Sequence, residues 1–333
     1  MKYLTQPKWQ LILLFLLMLG SYSANAQRQK TYTKKELSDE ALIKSLPGFE
    51  NQYVQVNGLK LHYVAGGKGQ PLVLLPGWPQ TWWSYHKVMP ALAANYRVIV
   101  VDIRGMGTSD KPAAGYDKKT MAQDIYQLIR QLGYDKVTIA GHDIGSQLAF
   151  SFAANYPAAT AKLVMMDVPH PDESYLNLRL LPANGTFGDK IDEAHSYPWW
   201  FAFHQVKGFP EQILLGRVQY EHEWFFKYLL YNEAAVNALD RAVYVAAYDS
   251  RDGIRAGDAW YQAFPQDVED SKTYGKLLMP VLAIGGPGFD WMKASLVDKT
   301  TNLKMVKATG SGHFIPEEKP EDLVRLITEF IGQ

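Results

Sequence analysis

The segment that most constrains the fold of this chain is residues 137–147, which read VTIAGHDIGSQ. The segment starts with β-branched residues typical of a strand, passes through a glycine-flanked pentapeptide, and continues into apolar residues at helical spacing. This order of strand, sharp turn and helix is the pattern of a nucleophile elbow, G-x-Nuc-x-G. Glycine is needed on both sides of the central residue because a Cβ would clash with the neighbouring chain at such a strained bend.

Asp143 occupies the centre of this elbow, where serine is the more usual residue. A carboxylate is already ionised at neutral pH, so it can attack an electrophilic carbon without help from a base. The attack suits an sp³ carbon with a strained or good leaving group, and its product is an alkyl ester that water must cleave. Asp143 therefore predicts cleavage of a carbon–oxygen or carbon–halogen bond through a covalent ester. The alternative interpretation is an N-cap aspartate before a helix.

The first 26 residues have the pattern of a secretory signal peptide. Lys2 and Lys8 precede an apolar run at residues 11–19, and residues 24–26 form an A-x-A cleavage site. The run is too short to span a membrane, although an uncleaved N-terminal anchor is the alternative. We therefore expect an exported protein, periplasmic or extracellular, with no membrane contact after cleavage. The chain contains no cysteine, so its stability must come from the core and not from disulfides.

Acidic and basic residues balance in this chain, with 34 Lys and Arg against 34 Asp and Glu. The two signs are interspersed, and the absence of a basic stripe argues against a nucleic-acid partner. The histidines do not follow a metal-ligand spacing such as H-E-x-x-H, so we predict no metal and no other cofactor. Residues 27–50 are predicted to form a polar lead-in with one short helix.

Short apolar strands alternate with helical segments over residues 51–170. The dipeptide Asn57-Gly58 joins the first two strands as a hairpin, and the later strands are apolar on both faces. This pattern predicts a parallel sheet covered by helices on both sides. Ligands bind such sheets at the carboxyl ends of the strands, where Trp78, Asp143 and Asp167 lie. The predicted strands here are residues 53–56, 59–64, 71–75, 97–102, 137–140 and 162–166, and predicted helices include residues 81–92 and 121–132.

The pattern changes over residues 171–270, where strand sequence gives way to helical segments rich in Trp, Tyr and Phe. We predict that these segments form a helical cap over the sheet. Strand sequence resumes at residues 280–284 and 303–307, and a final helix is predicted at residues 320–331. The sheet-forming core is therefore assigned to two stretches, residues 51–170 and 271–333.

Four motifs follow one another along the chain: PGWP at residues 76–79, DIRGMGTS at 102–109, GHDIG at 141–145 and GHF at 312–314. Together they resemble the epoxide hydrolase and dehalogenase branch of the α/β-hydrolase family. The resemblance covers roughly residues 53–331 and implies an α/β-hydrolase fold: a mostly parallel eight-stranded sheet with helices on both faces and a helical cap. Pro76 stands where the family's H-G-x-P motif has histidine, and a cis peptide before Pro79 is implied by the same motif.

By this resemblance, His313 is the general base that activates water against the ester, a role that suits a side chain with a pKa near neutrality. A carboxylate must orient this histidine. Asp167 follows the strand after the elbow helix and Asp290 follows the next strand, and since the family uses both positions for this acid, both are candidates. The backbone N–H groups of Trp78 and Ile144 are expected to form the oxyanion hole.

Epoxide opening leaves an alkoxide, which needs a proton from the cap. Tyrosine suits this role because its pKa of about 10 keeps it protonated yet able to donate. The resemblance assigns the proton donor to Tyr248 and a second donor to Trp200, whose indole N–H can donate. Tyr197, Trp199 and Tyr261 are the alternatives for these two roles.

These residues leave three interpretations open: an epoxide hydrolase, a haloalkane or haloacid dehalogenase, and a non-catalytic member of the fold that only binds a ligand. Haloacetate dehalogenases carry arginines directly after the nucleophile and three residues later, where this chain has Ile144 and Gln147. Haloalkane dehalogenases have tryptophan after the nucleophile. The hydrophobic residue at position 144 together with a cap tyrosine favours epoxide opening to a vicinal diol. We expect a small apolar epoxide or halogenated substrate, and the assembly could be a homodimer.

Overall fold

The computed structural model describes residues 31–186 and 188–332, and the signal peptide predicted at residues 1–26 lies outside them. Eight strands form one sheet in the compact unit that begins at Lys34. Their order across the sheet is β1-β2-β4-β3-β5-β6-β7-β8. The strands are β1 (Phe49–Val56), β2 (Leu59–Gly66), β3 (Gln70–Leu75), β4 (Tyr96–Asp102), β5 (Val137–His142), β6 (Thr160–Met166), β7 (Val281–Gly285) and β8 (Leu303–Lys307).

Strand β2 is antiparallel to its neighbours β1 and β4, and all other neighbouring strands are parallel. The predicted mostly parallel eight-stranded sheet is therefore confirmed. All six residues of β5 and all five of β7 are buried, because helices cover both faces and leave no side of these strands to water. Gly141 of β5 lies opposite Leu75 of β3 and Met165 of β6, so these three strands end side by side.

The helices of the first part of the chain pack on the sheet or at its edge. Helix α4 (Ile144–Asn155) is almost wholly buried, whereas α3 (Lys118–Gln131) is amphipathic and has as its N-cap Asp117, whose side chain accepts from the N–H of Thr120. The predicted helix at residues 81–92 is wrong in part: a 3₁₀ turn, Trp82–Tyr85, precedes α2. Pro90 accounts for the difference because it has no N–H for a helix interior but suits a first turn. These helices are α1 (Asp39–Leu42), α2 (Met89–Ala93), α3 (Lys118–Gln131) and α4 (Ile144–Asn155).

Six helices between β6 and β7 form what we call the cap. They are held together largely by aromatic side chains: Trp200 of the first cap helix meets Phe225 of the third edge-on, with ring centroids 5.1 Å apart. The predicted cap limits at residues 171 and 270 stay predictions, since the contacts place everything from Lys34 onward in one compact unit. The cap helices are α5 (Trp199–His204), α6 (Phe209–Leu214), α7 (Val218–Leu229), α8 (Ala238–Tyr248), α9 (Arg251–Gln262) and α10 (Phe264–Ser271).

The last part of the chain completes the sheet and carries the histidine loop. After β8, residues 308–314 lead into α12, and α13 packs its apolar face through Leu323, Ile327 and Phe330. Among the described residues, no helix has both the length and the apolar character that crossing a membrane requires. The helices of this part are α11 (Phe289–Leu296), α12 (Ile315–Glu318) and α13 (Pro320–Gly332).

Candidate active site

The bend between β5 and α4 holds Asp143 at a φ of 52° and a ψ of −122°. This conformation is rare for a residue with a side chain, and it turns the aspartate out of the helix that follows. A Cβ on Gly141 would lie 2.0 Å from the carbonyl oxygen of Gly145, and one on Gly145 would lie 2.1 Å from that of Leu75. No side chain fits at those distances, so the two glycines of the motif are what permit the bend.

The carboxylate of Asp143 is held by main-chain donors. The N–H of Trp78, in the loop after β3, donates to Asp143 Oδ1 at 2.9 Å. Burial raises the pKa of Asp143, while the charge of His313 and the backbone N–H groups of Ile144 and Trp78 lower it. The Trp78–Pro79 peptide is cis, as the motif implied. Trp78 and Ile144 therefore direct their backbone N–H groups at this carboxylate, the arrangement expected of an oxyanion hole.

His313 lies between two carboxylates. Its Nδ1–H donates to Asp167 Oδ2 at 2.7 Å, and its Nε2 lies 3.6 Å from Asp143 Oδ2. The backbone N–H of His313 also donates to the carbonyl of Leu229, the last residue of α7, at 2.9 Å. Burial lowers the pKa of His313, but the hydrogen bond and charge of Asp167 and the charge of Asp143 outweigh it, so that the pKa is raised.

Asp167, and not Asp290, is the partner of this histidine. Asp167 follows β6 at a φ of 64°, and its Oδ1 accepts from the N–H groups of Gly286 at 2.7 Å and Gly288 at 2.9 Å. These two bonds leave Oδ2 free for the imidazole. The alternative assignment of this role to Asp290 is wrong. Asp290 is exposed in the first turn of α11 and has no hydrogen bond to His313.

A cavity of about 300 Å³ lies between the sheet and the cap, and Asp143 and His313 both line it. Most of its other lining is aromatic or aliphatic, which suits an apolar ligand. The apolar lining includes Trp78, Val168, Trp200, Phe201, Phe225, Leu229, Tyr261 and Trp291.

The structure corrects the choice of cap tyrosine. Tyr248 does not line the cavity, and its hydroxyl donates to the carbonyl of Gln80 at 2.8 Å. Tyr261, on α9, lines the cavity, and its hydroxyl has no hydrogen-bond partner among the described residues. Burial and the charge of Asp143 raise the pKa of Tyr261 well above its ordinary value, so the phenol keeps its proton at neutral pH. Tyr261 is therefore the tyrosine that a substrate on Asp143 would meet.

Of the remaining cap candidates, the structure brings only Trp200 to the catalytic cavity among the described residues. Tyr197 packs against Tyr228, with ring centroids 6.1 Å apart, and Trp199 packs against Trp224 at 5.2 Å. Both contacts are those of ordinary cap packing. Trp200 therefore lies at the cavity, and its role as a second donor stays a prediction.

Three residues with site contacts escaped the sequence analysis. Glu318 accepts from the N–H of Gly312 at 2.8 Å and from that of Tyr231 at 2.9 Å, and so joins the histidine loop to the cap. Arg179 is the one Lys or Arg among the described residues that line the cavity. His204 stacks on Tyr261. Of the three, only Glu318 carried a signal, its short distance from the GHF motif; nothing in the sequence marks the other two.

Two groups of side chains away from the cavity offer ligand types that metal ions bind. In each group the ligand atoms lie within 4.8 Å of one another. In the first group His62 Nδ1 lies 2.8 Å from Asp102 Oδ2. In the second, Lys87 Nζ, from outside the group, lies 2.8 Å from Glu317 Oε2. Ligand atoms of both groups therefore already have partners in the protein. The groups are Asp39, His62 and Asp102, and His86, Asp240 and Glu317.

With the fold and the site in place, the comparisons with known proteins assign the chain to a family. Residues 70–320 match the family described as alpha/beta hydrolase fold, and the chain belongs to it. Over 284 residues the chain is 34% identical to the soluble epoxide hydrolase of Corynebacterium sp. (strain C12), covering 83% of this chain and 95% of that protein. This places the chain in the epoxide hydrolase and dehalogenase branch, and it is a hydrolase.

Two further comparisons concern a curated relative and a solved structure. The fluoroacetate dehalogenase of Burkholderia sp is 25% identical over 306 residues, which cover 86% of this chain and 94% of that protein. The crystal structure of the Cif epoxide hydrolase from Acinetobacter nosocomialis matches with a TM-score of 0.76 and 21% identity, covering 99% of this chain and 98% of that one. The likeness to the Cif enzyme concerns the fold alone.

Proposed function

We propose that this protein opens epoxides to vicinal diols through an ester formed on Asp143. The observation that carries the proposal is the alignment of three side chains at an apolar cavity. His313 has one nitrogen bound to Asp167 at 2.7 Å and the other 3.6 Å from Asp143, and a cap tyrosine faces the same cavity. Nucleophile, water-activating base and proton donor are the three groups that such a reaction needs.

The first half-reaction is alkylation of Asp143. Because Trp78 holds Oδ1, the oxygen free to attack an epoxide carbon is Oδ2. The new C–O bond to Oδ2 forms as the ring C–O bond breaks, and the ring oxygen leaves with the electron pair. Tyr261 donates its proton to this oxygen, and the N–H of Trp200 supplies a second hydrogen bond. Oδ1 becomes the carbonyl oxygen of the ester.

The second half-reaction is hydrolysis of this ester. His313 takes a proton from water, and the hydroxide attacks the carbonyl carbon of Asp143. Negative charge then develops on Oδ1, where the N–H groups of Trp78 and Ile144 stabilise it. The bond from the carbonyl carbon to Oδ2 breaks, and the departing oxygen takes the proton from His313 as the diol is released, so one oxygen of the water stays on Asp143. The other proton of that water leaves the Asp143 carboxyl and restores the phenol of Tyr261. Asp167 stabilises the imidazolium that forms on His313.

A dehalogenase is the second candidate, because a fluoroacetate dehalogenase is among the relatives and the same carboxylate can displace a halide. Two features weaken it. Ile144 is 1% exposed and Gln147 donates to the hydroxyl of Tyr175 at 3.2 Å, so neither position offers a cation for a haloacid. Trp200 is the residue that would hold a halide in this second reaction.

We also propose that the mature protein is exported to the periplasm or the medium, on the signal-peptide pattern of residues 1–26. The proposed substrate is small and apolar, in keeping with the lining of the cavity. The suggested homodimer stays a prediction.

The test is a substrate panel with mass spectrometry of the protein. Styrene-type, aliphatic and fatty-acid epoxides are compared with chloro- and bromoalkanes, and diol and halide are both quantified. The variant His313→Gln should gain the mass of one substrate, because the ester forms and is not hydrolysed. Halide release without diol from any epoxide would favour the second candidate. Wild-type turnover by His313→Gln would contradict the assignment of the base.

A further inference from the structure

A buried polar cluster lies behind Tyr261, and neither half-reaction above uses it. It combines carboxylates and imidazoles from four cap helices, and no Lys or Arg of the described residues forms an ion pair with it. The side chains of His204, Asp258 and Glu221 are only 2%, 1% and 7% exposed. We call this group the cap cluster; its members are His204, Glu211, Glu221, His222 and Asp258.

His204 is the centre of the cap cluster. Its Nδ1 lies 2.7 Å from Asp258 Oδ1, and its Nε2 lies 3.4 Å from Glu221 Oε1. Its ring stacks on Tyr261 with centroids 4.8 Å apart and planes 23° apart, and meets the indole of Trp78 edge-on at 4.8 Å. One imidazole thus joins α5, α7 and α9 and lies flat against the phenol that faces Asp143.

Several polar atoms of the cap cluster have no hydrogen-bond partner within the described residues. A cavity of about 10 Å³, roughly the space one water needs, lies among His204, Glu221, His222 and Asp258. Burying so many polar groups is unfavourable unless they are well paired, so core stability does not explain their presence. The unpaired atoms are His204 Nε2, Asp258 Oδ2, Glu221 Oε1, Glu211 Oε2 and His222 Nδ1.

Burial shifts the pKa values of four members of the cap cluster toward their neutral forms. Burial and the charge of Glu211 raise the pKa of Asp258 to about 8, and burial raises that of Glu221 to about 7. Burial lowers the pKa of His204, and it lowers that of His222 to about 3. Above about pH 8 the cluster would therefore hold buried carboxylates with no cation to balance them.

We propose that the cap cluster positions Tyr261 for proton donation and releases it when its carboxylates ionise; this inference rests on the proposed function. While Asp258 and His204 share a proton at 2.7 Å, the imidazole stays in the plane on which the phenol stacks. Repulsion between ionised Asp258 and Glu221 separates α9 from α7, and the phenol moves with α9. The titratable groups facing His204 are Glu221, His222, Asp258 and, beyond the cluster, Tyr248 and Tyr261, while the charge of Glu211 acts on Asp258.

The experiment measures the rate of ester formation in single turnovers, as mass gained by the protein, from pH 6 to 10 in a His313→Gln background. In the parent, the rate should fall on the alkaline side with a midpoint near the pKa of Asp258, about 8. Asp258→Asn keeps the shape and cannot ionise, so its rate should stay level through this range. Asp252→Asn, an exposed acid on the same helix, is the matched control and should behave like the parent.

A second variant tests the geometry rather than the charge. With His313 intact, His204→Ala should slow ester formation by roughly 10- to 100-fold, since a displacement of about 1 Å costs that much. Decay of the ester in a chase should change less than about threefold, because His313 and its water do not touch the cluster. A purely structural role would slow both half-reactions together.

The outcomes separate this inference from the proposed function. An alkaline fall near pH 8 that persists in Asp258→Asn, or equal slowing of both half-reactions by His204→Ala, overturns the role of the cap cluster alone. If His204→Ala does not fold, Asp258→Asn alone decides. If Tyr261→Phe forms the ester at the parent's rate, Tyr261 is not the proton donor. Both the proposed function, in its assignment of the donor, and this inference are then contradicted.

Discussion

The two sides of the catalytic cavity are built on different principles. On the sheet side the main chain positions the reactive groups: Asp143 and Asp167 have positive φ values, and backbone N–H groups hold a carboxylate oxygen of each. On the cap side, packing between side chains of separate helices positions Tyr261 and Trp200. Main-chain geometry tolerates few substitutions, whereas a packed aromatic surface tolerates many. The sheet side can thus fix the chemistry while the cap varies the substrate.

The largest expected effect comes from removing the nucleophile. Asp143→Asn leaves no ionised oxygen to attack carbon, so ester formation should fall by on the order of 10³-fold or more. Single-turnover mass spectrometry measures it within minutes, before slow deamidation restores aspartate. Asp290→Asn is the matched control, because that carboxylate is exposed and should leave the rate unchanged. Full activity in Asp143→Asn would contradict the assignment of Asp143 as the nucleophile on the sheet side of the cavity.

The second effect concerns folding rather than chemistry. Gly145→Ala puts a Cβ 2.1 Å from the carbonyl oxygen of Leu75, and relief requires β3 or α4 to shift. We expect a loss of about 2–4 kcal/mol in the free energy of unfolding, the range of severe overpacking. Gly275→Ala is the control, since a Cβ at that position would have no atom within 4 Å to clash with. Urea unfolding measures both, and equal stabilities would mean that the elbow is not crowded.

This contrast explains how far the sequence could predict the site. Asp143 and His313 lie in glycine motifs that the backbone requires, so spacing and motif are enough to identify them. For the acid the sequence left Asp167 and Asp290 open, and only the hydrogen bond to His313 decides for Asp167. The cap has no such markers. Tyr248 and Tyr261 are both tyrosines in helical sequence, and only the packing of α8 against α9 decides which of them faces Asp143. The sheet strands were predictable from their short apolar runs. The helix at residues 81–92 was not, because a 3₁₀ turn at Trp82–Tyr85 comes first and Pro90 lies in the first turn of α2.

The two tyrosines provide the third prediction. Tyr261→Phe should lower the rate of ester formation from an epoxide about 10²-fold, at the lower end for loss of a general acid because Trp200 still donates. Tyr248→Phe removes only a hydrogen bond to the carbonyl of Gln80. Its cost should be about 1 kcal/mol of stability, with little change in rate. Single-turnover rates and urea unfolding distinguish the effects of the two substitutions. A larger loss of rate in Tyr248→Phe than in Tyr261→Phe would make Tyr248 the donor.

The fourth prediction separates the half-reactions by pH. Hydrolysis needs neutral His313, so its rate should fall about tenfold per pH unit below the pKa of that histidine. The pKa is raised in the free enzyme by Asp167 and by Asp143. Ester formation removes the charge of Asp143, so the pKa of His313 should be lower in the ester than in the free enzyme. A chase of the ester at several pH values, set beside an NMR titration of the free imidazole, measures the difference.

The same experiment gives a check on Asp167. In the variant Asp167→Asn the remaining support for the imidazolium is lost, so hydrolysis should slow much more than ester formation. If the pKa of His313 were the same in the ester and in the free enzyme, the charge of Asp143 would have no effect on His313. That result would contradict the effect expected from their separation of 3.6 Å.

The smallest expected effect is at the cavity rim. Arg179 is exposed, lines the cavity, and has no ion pair or hydrogen bond among the described residues. A carboxylate on the far end of a substrate would meet it in water, where an ion pair contributes about 0.2–1 kcal/mol. Arg179→Gln should therefore raise KM about two- to fivefold for an epoxide with a terminal carboxylate and leave kcat unchanged. The methyl ester of the same epoxide is the control, and its KM should not change. Because salt screens exposed charges, the difference in KM between Arg179→Gln and the parent should shrink at high ionic strength. A difference that persists at high ionic strength would mean that Arg179 contacts the carboxylate in a buried site. The cap would then be more rigid than its side-chain packing implies.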